Sequence, residues 1–275
     1  MSDTITVPTA FGELLRYRQL LGCLIWRDIR VRYKQSVLGM AWAVLLPLAM
    51  MFIFTFVFTR AVNVVAGLGL DMPYPIFAYI GLVPWAFFAS SLNQAVNSVV
   101  KNQNLVTKVY FPREVFPLAS IGSALADFVI AASVLVALIG YFHIATDWHY
   151  YPTAALLFLP VVLLFQLLLT CGLAMLLAMA NLFYRDVRQM IGAIIQLWMF
   201  LTCVVYPIKN DGTWIGTLAM LNPMTPIIQA YRDCIISGRL PHTPAFWVAG
   251  AVSAATCVLG WWAFRRTSYK FAEYI

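Results

Sequence analysis

Charge is what this 275-residue chain has least of. Charged side chains make up 11% of it, against 62% hydrophobic residues, and the mean hydropathy is +0.82. A water-soluble fold of this length cannot cover so much apolar surface, so the composition places the chain in a bilayer. Five cysteines, Cys23, Cys171, Cys203, Cys234 and Cys257, occur without a C-x-x-C pair. Their odd count and wide spacing exclude a disulfide framework and a structural metal site. Only Cys203 and Cys234 fall near the same outer face, where one bridge would be allowed. None of Lys34, Lys101, Lys108, Lys209 and Lys270 follows a Gly or precedes Ser or Thr. A P-loop needs that Gly-Lys-Ser/Thr cradle for its phosphates, so any ATP use belongs to another chain. His143, His149 and His242 form no metalloprotease spacing, and no catalytic cluster is legible. Nor is a cleaved leader expected, because a charged segment of about thirty residues precedes the first apolar run.

What remains is a set of long apolar runs separated by short polar ones. Runs of about twenty residues are membrane-span candidates. They predict an all-α integral membrane protein with six spans, at about 37–59, 74–100, 115–141, 152–182, 190–207 and 245–264, in one domain covering 1–275. Pro47 and Pro84 fall inside spans, where proline removes a backbone hydrogen bond and marks a kink or break. Between the last two spans, 208–244 holds two apolar pieces, Trp214 to Leu221 and Pro226 to Ser237. Neither is long enough to cross, which predicts short interfacial or re-entrant helices. Before the first span, 12–34 reads as a helix lying on the membrane. At about 100° per residue, Arg16, Arg27, Arg30 and Lys34 share one face and Leu14, Leu21, Ile25 and Ile29 the other, with Arg18 and Arg32 off the stripe.

Basic residues set the orientation. Only Arg60, Lys209, Arg232 and Arg239, of 18 Lys and Arg, fall on one side of this layout. The rest fall on the other, which the positive-inside rule makes cytoplasmic, with both termini inside. Two internal loops follow, 101–117 and 184–189. A chain with no motor of its own needs a contact surface for one, and the longer loop, with Lys101, Lys108 and Arg113 beside Glu114, is the natural candidate.

Asp127 is the one acid well inside a span, and intramembrane charge defaults to a functional reading. An ion or proton site and a polar contact that fixes helix packing are both open. No span carries a base to pair with it. Asn93, Asn97, Gln166 and Gln196 read as helix–helix hydrogen-bond partners. Trp42, Trp85, Phe88 and Trp198 suit either an aromatic belt and core packing or a surface on which sugar rings slide.

Several segments carry a family resemblance. Arg27-Asp28-Ile29-Arg30-Val31-Arg32-Tyr33-Lys34 and the following Gln35 to Trp42, with Pro47, are one. Tyr110-Phe111-Pro112-Arg113-Glu114-Val115-Phe116-Pro117 is another, and Asn181 to Val187 a third. Asn222-Pro223 with Tyr231-Arg232-Asp233, and Phe271-Ala272-Glu273, complete the set. In this order the chain resembles the permease subunit of type 2 ABC exporters for polysaccharides, the O-antigen, capsule and teichoic acid group. The resemblance implies a non-enzymatic subunit in a bacterial inner membrane, without a cofactor and without nucleic acid. It implies a homodimer joined to two copies of a separate ATPase that binds ATP and Mg. The substrate it implies is a glycan on a polyprenyl diphosphate. Lys108, Val109, Tyr110, Phe111, Pro112, Arg113 and Glu114, with Tyr184, Arg185, Asp186 and Arg188, would couple to the ATPase. Arg27, Arg30, Arg32 and Lys34 would meet the lipid diphosphate and membrane lipids. Residues 208–244 would form an outer gate. A drug or small-lipid permease of the same fold, and a carrier using Asp127, are the alternatives.

Overall fold

A helix that meets protein on every side sits at the middle of the molecule. In the computed structural model, which describes residues 16–34, 39, 41–61, 72–108, 111–206, 221–268 and 271, this is α3, Tyr74–Val96. It is the third of ten α-helices among the described residues. α1 spans Arg18–Lys34 and α2 Ala41–Phe56, continued by a π turn at Val57–Ala61. After α3 come the short α4 (Ser98–Lys101) and α5 (Gln103–Lys108), then α6 (Val115–Ala145). A 3-10 turn at Ala154–Phe158 leads into α7 (Leu159–Phe183), followed by α8 (Val187–Leu201). α9 (Met224–Arg232) ends in a π turn at Asp233–Ser237, and α10 (Pro244–Ser268) closes the described chain.

Five of these segments are long and apolar enough to cross a membrane: Ala41–Thr59, Tyr74–Val96, Val115–Ala145, Ala154–Phe183 and Pro244–Ser268. The fifth predicted span, 190–207, has a helix shorter than its apolar run. α8 has 15 residues, about 22 Å of helix against a hydrocarbon core of roughly 30 Å. The chain then turns, and Thr202, Cys203, Val204 and Val205 are buried in non-helical backbone. Hydropathy sees apolar residues there, whereas the backbone uses them as a packed turn. Both internal prolines are accommodated within continuous helix. The first of the two short helices predicted in 208–244 falls outside the described residues, and α9 with its π turn corresponds to the second.

α3 touches α2, α6, α7, α8 and α9. Ile76, Tyr79, Ile80, Phe88, Leu92, Ala95 and Val96 are all essentially inaccessible. Two of its backbone carbonyls are met by side chains of a later helix. Gln166 of α7 donates its Nε2 to the Pro84 carbonyl at 2.7 Å and accepts the Tyr231 hydroxyl of α9 at 2.9 Å. Asn181 of α7 donates to the Val96 carbonyl at 2.9 Å, at the end of α3. α10 lies along α7, and the two backbones meet at Gly172 and Gly260. A Cβ on either glycine would overlap the opposite backbone. Without a hydrophobic drive between helices in lipid, such small-residue contacts supply close van der Waals packing. All five cysteines are free thiols.

Core packing divides in two. The large cluster surrounds α3. A smaller one gathers Leu24, Val99, Val115, Phe116, Met175, Ala178, Leu182, Phe264 and Phe271. It joins α1, α4, α6, α7 and α10 at the end of the bundle that carries Lys101, Arg113, Arg185, Arg188 and Arg265. We call this the basic end, and the α9 end the far end.

Candidate functional site

The two predicted loops at the basic end are built in opposite ways. In the first, Phe111 packs edge-on against Phe116 with ring centroids 5.3 Å apart. Arg113 donates to the Ser268 carbonyl and lies over the Phe271 ring at 5.7 Å. Glu114 is only 4% exposed and accepts from Arg265 Nε at 2.6 Å. Pro112 is half-buried, and Lys101 lies 3.9 Å from Asp28 of α1. Val109, Tyr110 and the side chain of Lys108 lie outside the described residues. The second loop points outward. Tyr184 is 72% exposed, and Arg185, Asp186 and Arg188 are exposed as well. Tight backbone turns hold them there, with Val187 N–H donating to the Tyr184 carbonyl at 3.1 Å.

α1 distributes its cations over different tasks. Arg27 is bound to Asp28 at 3.0 Å, Arg30 lies over the Trp26 ring at 5.6 Å, and Lys34 is exposed at the helix end. Basic residues in a last turn also suit the helix dipole. Arg32 turns inward instead. Its guanidinium pairs with Asp127, reaches Gln94, and donates to Ser123 Oγ at 3.0 Å. Tyr33 donates its hydroxyl to the same carboxylate. Burial and then the Asp127 hydrogen bond push the Tyr33 phenol up to about 12. Asp127 therefore has a base beside it, supplied by α1 and not by a span. Arg32 stands off the helical stripe because it belongs to this contact. A cavity of about 470 Å³ adjoins the pair, walled by Trp42, Leu46, Phe87 and Phe128 among others.

Three of the four predicted aromatics form one cluster between α3 and α8. Trp85 stacks on Phe88 at 5.5 Å, and Trp198 meets them edge-on at 6.4 and 5.3 Å. Trp85 and Phe88 are buried, so within one chain they are packing. Trp42 stands apart, 47% exposed, on the cavity wall.

At the far end, Arg232 is 4% exposed. It donates to the carbonyls of Cys203, at 3.4 Å, and Val204, and its guanidinium lies 3.8 Å from the centroid of Phe77. Burial pulls its pKa down to about 10, which leaves it charged at neutral pH. Cys203 adopts a left-handed backbone, φ 53°, at a cost of about 1–2 kcal/mol, and Arg232 stabilises the turn that requires it. Tyr74 donates to the next carbonyl, Val205, at 2.6 Å, and Asn222 donates to Thr202 Oγ1 at 2.8 Å. Arg265 and Asn181 carry structural roles that the sequence did not assign to them. Their partners lie 151 and 85 residues away; Asn181 closes an apolar run, and Arg265 opens the basic tail after the last one.

Among the described residues the arrangement is one of interhelix contacts. It is built to hold helices at fixed relative positions and to present charge at one end. Residues 19–236 match the family described as ABC-2 type transporter. The chain is 31% identical over 269 residues to the "O-antigen export system permease protein RfbA" of Myxococcus xanthus, covering 96% of this chain and 98% of that protein. It is 28% identical to a Klebsiella pneumoniae protein of the same name over 92% of this chain and 94% of that protein. It is 24% identical to the "Polysialic acid transport protein KpsM" of Escherichia coli, over 79% of this chain and 81% of that one.

Proposed function

Because the chain belongs to the ABC-2 type transporter family, we propose that it is the membrane permease of an ATP-driven polysaccharide exporter. The observation that carries this reading is the similarity, over nearly the whole chain, to a permease named for O-antigen export. The basic end faces the cytoplasm of a bacterial inner membrane, with both termini on that side, as the distribution of Lys and Arg supports. A separate ATPase subunit docks there. Tyr184, Arg185, Asp186 and Arg188 are its exposed contact, and 101–114 is the segment it moves. Two copies of the permease pair with two of the ATPase, since five to six spans are too few to enclose a sugar conduit alone. ATP and Mg bind the ATPase and not this chain.

The substrate is a glycan carried on a polyprenyl diphosphate. Arg27, Arg30 and Lys34 lie where inner-leaflet headgroups would meet them, and cations of this kind suit a diphosphate. Arg32 is committed to Asp127. That pairing argues against an ion-coupled carrier, because Asp127 is held by Arg32 and Tyr33 and is not an open cation site. The far-end region around α9 acts as the outer gate.

Deletion of the coding sequence tests the proposal. Long-chain polysaccharide should vanish from the cell surface and accumulate as lipid-linked glycan inside. Re-expression with the neighbouring ATPase should restore it. Surface glycan that persists in the deletion strain would refute the reading.

A further inference from the structure

We infer that α10 is a strut linking the Phe111–Glu114 segment to the far-end helix α9, and that Arg265 is the positioning residue joining segment to strut. The inference rests on the reading of that segment as the part an ATPase moves.

Contacts of different kinds fasten the segment to the last turns of α10. Glu114 is ion-paired with Arg265 at 2.6 Å. Arg113 grips the Ser268 carbonyl and lies over Phe271, whose ring packs edge-on against Phe264 at 5.1 Å. The carboxylate of this pair is buried, and leaving it without its cation is costly, so the contact resists sliding of the segment across α10. Midway along, α10 has no clearance from α7. Gly260 meets the Gly172 backbone, and a Cβ at Gly250 would collide with the Phe165 ring. At the far end Phe246 is fully buried and stacks on Phe165 at 5.1 Å and Phe158 at 6.0 Å. There α10 also touches α9. The result is one unbroken helix of 25 residues, about 37 Å long, held at both ends and in the middle. Displacement of one end is therefore delivered to the other by rigid packing. Coupling of this sort requires a contiguous physical path and must be demonstrated by perturbing it.

The test uses the whole permease–ATPase complex in proteoliposomes, with Glu114→Gln, Arg265→Gln, Arg265→Lys and the reciprocal swap Glu114→Arg with Arg265→Glu. A single environment-sensitive fluorophore on Leu240→Cys, in a background without the native cysteines, reports the far end. Arg265→Gln, outside the ATPase-contact segment, should keep ATPase assembly and ATP hydrolysis. Glycan export per ATP should fall roughly tenfold, and the ATP-dependent fluorescence change should disappear. Arg265→Lys and the swap should recover most of both signals. Export and fluorescence unchanged in the two Gln variants would overturn the strut. So would loss of assembly in step with export, because the pair would then be a docking contact. If Phe111→Ala and Arg185→Ala with Arg188→Ala leave assembly and export intact, the ATPase-contact reading itself fails, independently of α10.

Discussion

Arg265, half-buried, and Arg232, buried, sit at opposite ends of the same bundle and are held by different chemistry. At the basic end Arg265 meets a carboxylate, Glu114, that is itself buried. At the far end Arg232 meets two backbone carbonyls and the face of Phe77. The first is a bond between two side chains from distant helices and can be redrawn by exchanging charges. The second is anchored in the backbone of a turn and offers nothing to exchange. A cation on a buried carboxylate marks a joint, whereas one on carbonyls marks a fixed corner.

The sharpest way to break this comparison is to remove the corner. Arg232→Leu strips two carbonyls of their donor and leaves the left-handed turn at Cys203 unsupported. It should cost about 3–5 kcal/mol of stability, read as a large drop in the unfolding midpoint of the purified protein in detergent. Lysine at each site separates the two chemistries further. Arg232→Lys loses the planar fork that spans two acceptors and stacks on a ring, and should cost about 2–3 kcal/mol. Arg265→Lys keeps a point charge beside Glu114 and should cost less than Arg232→Lys. Equal losses at both sites, in the same unfolding assay, would erase the distinction drawn here.

A smaller effect is expected between the two ends. Gly260→Ala forces a methyl into the Gly172 backbone and should destabilise by about 1–3 kcal/mol through overpacking, again measured by unfolding. The smallest signature belongs to the third arginine contact, Arg32 on Asp127. Tyr33 has its folded pKa raised to about 12, by burial and then by Asp127. Its contribution to stability is therefore complete below the ordinary tyrosine pKa of about 10 and is lost as pH rises toward 12. In Asp127→Asn the tyrosinate absorbance of Tyr33 should appear at lower pH than in the parent, isolated by difference against Tyr33→Phe. An unmoved titration would show that Asp127 does not hold Tyr33.

Much of the architecture was legible from residue type alone. Long uncharged runs gave five spans, since length and apolarity are all a bilayer asks of a helix. α8 was overextended because Thr202 to Val205 are as apolar as a span yet fold as a buried turn. The aromatic cluster of Trp85, Phe88 and Trp198 was legible as residues but not as an arrangement. Opposite helices must be in place before packing can be told from lining. Asp127 stood out correctly, but its partner did not. Arg32 lies 95 residues earlier, and its departure from the basic stripe was read as an imperfection. Glu114 was grouped with an exposed loop by its neighbours, and only the arrival of α10 shows that it points inward.

The burial of α3 also has a consequence for the order of manufacture. α3 leaves the ribosome well before α7, yet α7 supplies Gln166 for the Pro84 carbonyl and Asn181 for the Val96 carbonyl. Until α7 arrives, these two carbonyls lack their side-chain donors, and the α7-facing side of α3 has lipid or the insertion machinery beside it, where exposed polar groups are costly. The most protected helix of the finished permease is thus incompletely covered until late in synthesis. A chain stalled after α6 should remain bound to the insertion machinery, and one stalled after α7 should be released into the bilayer.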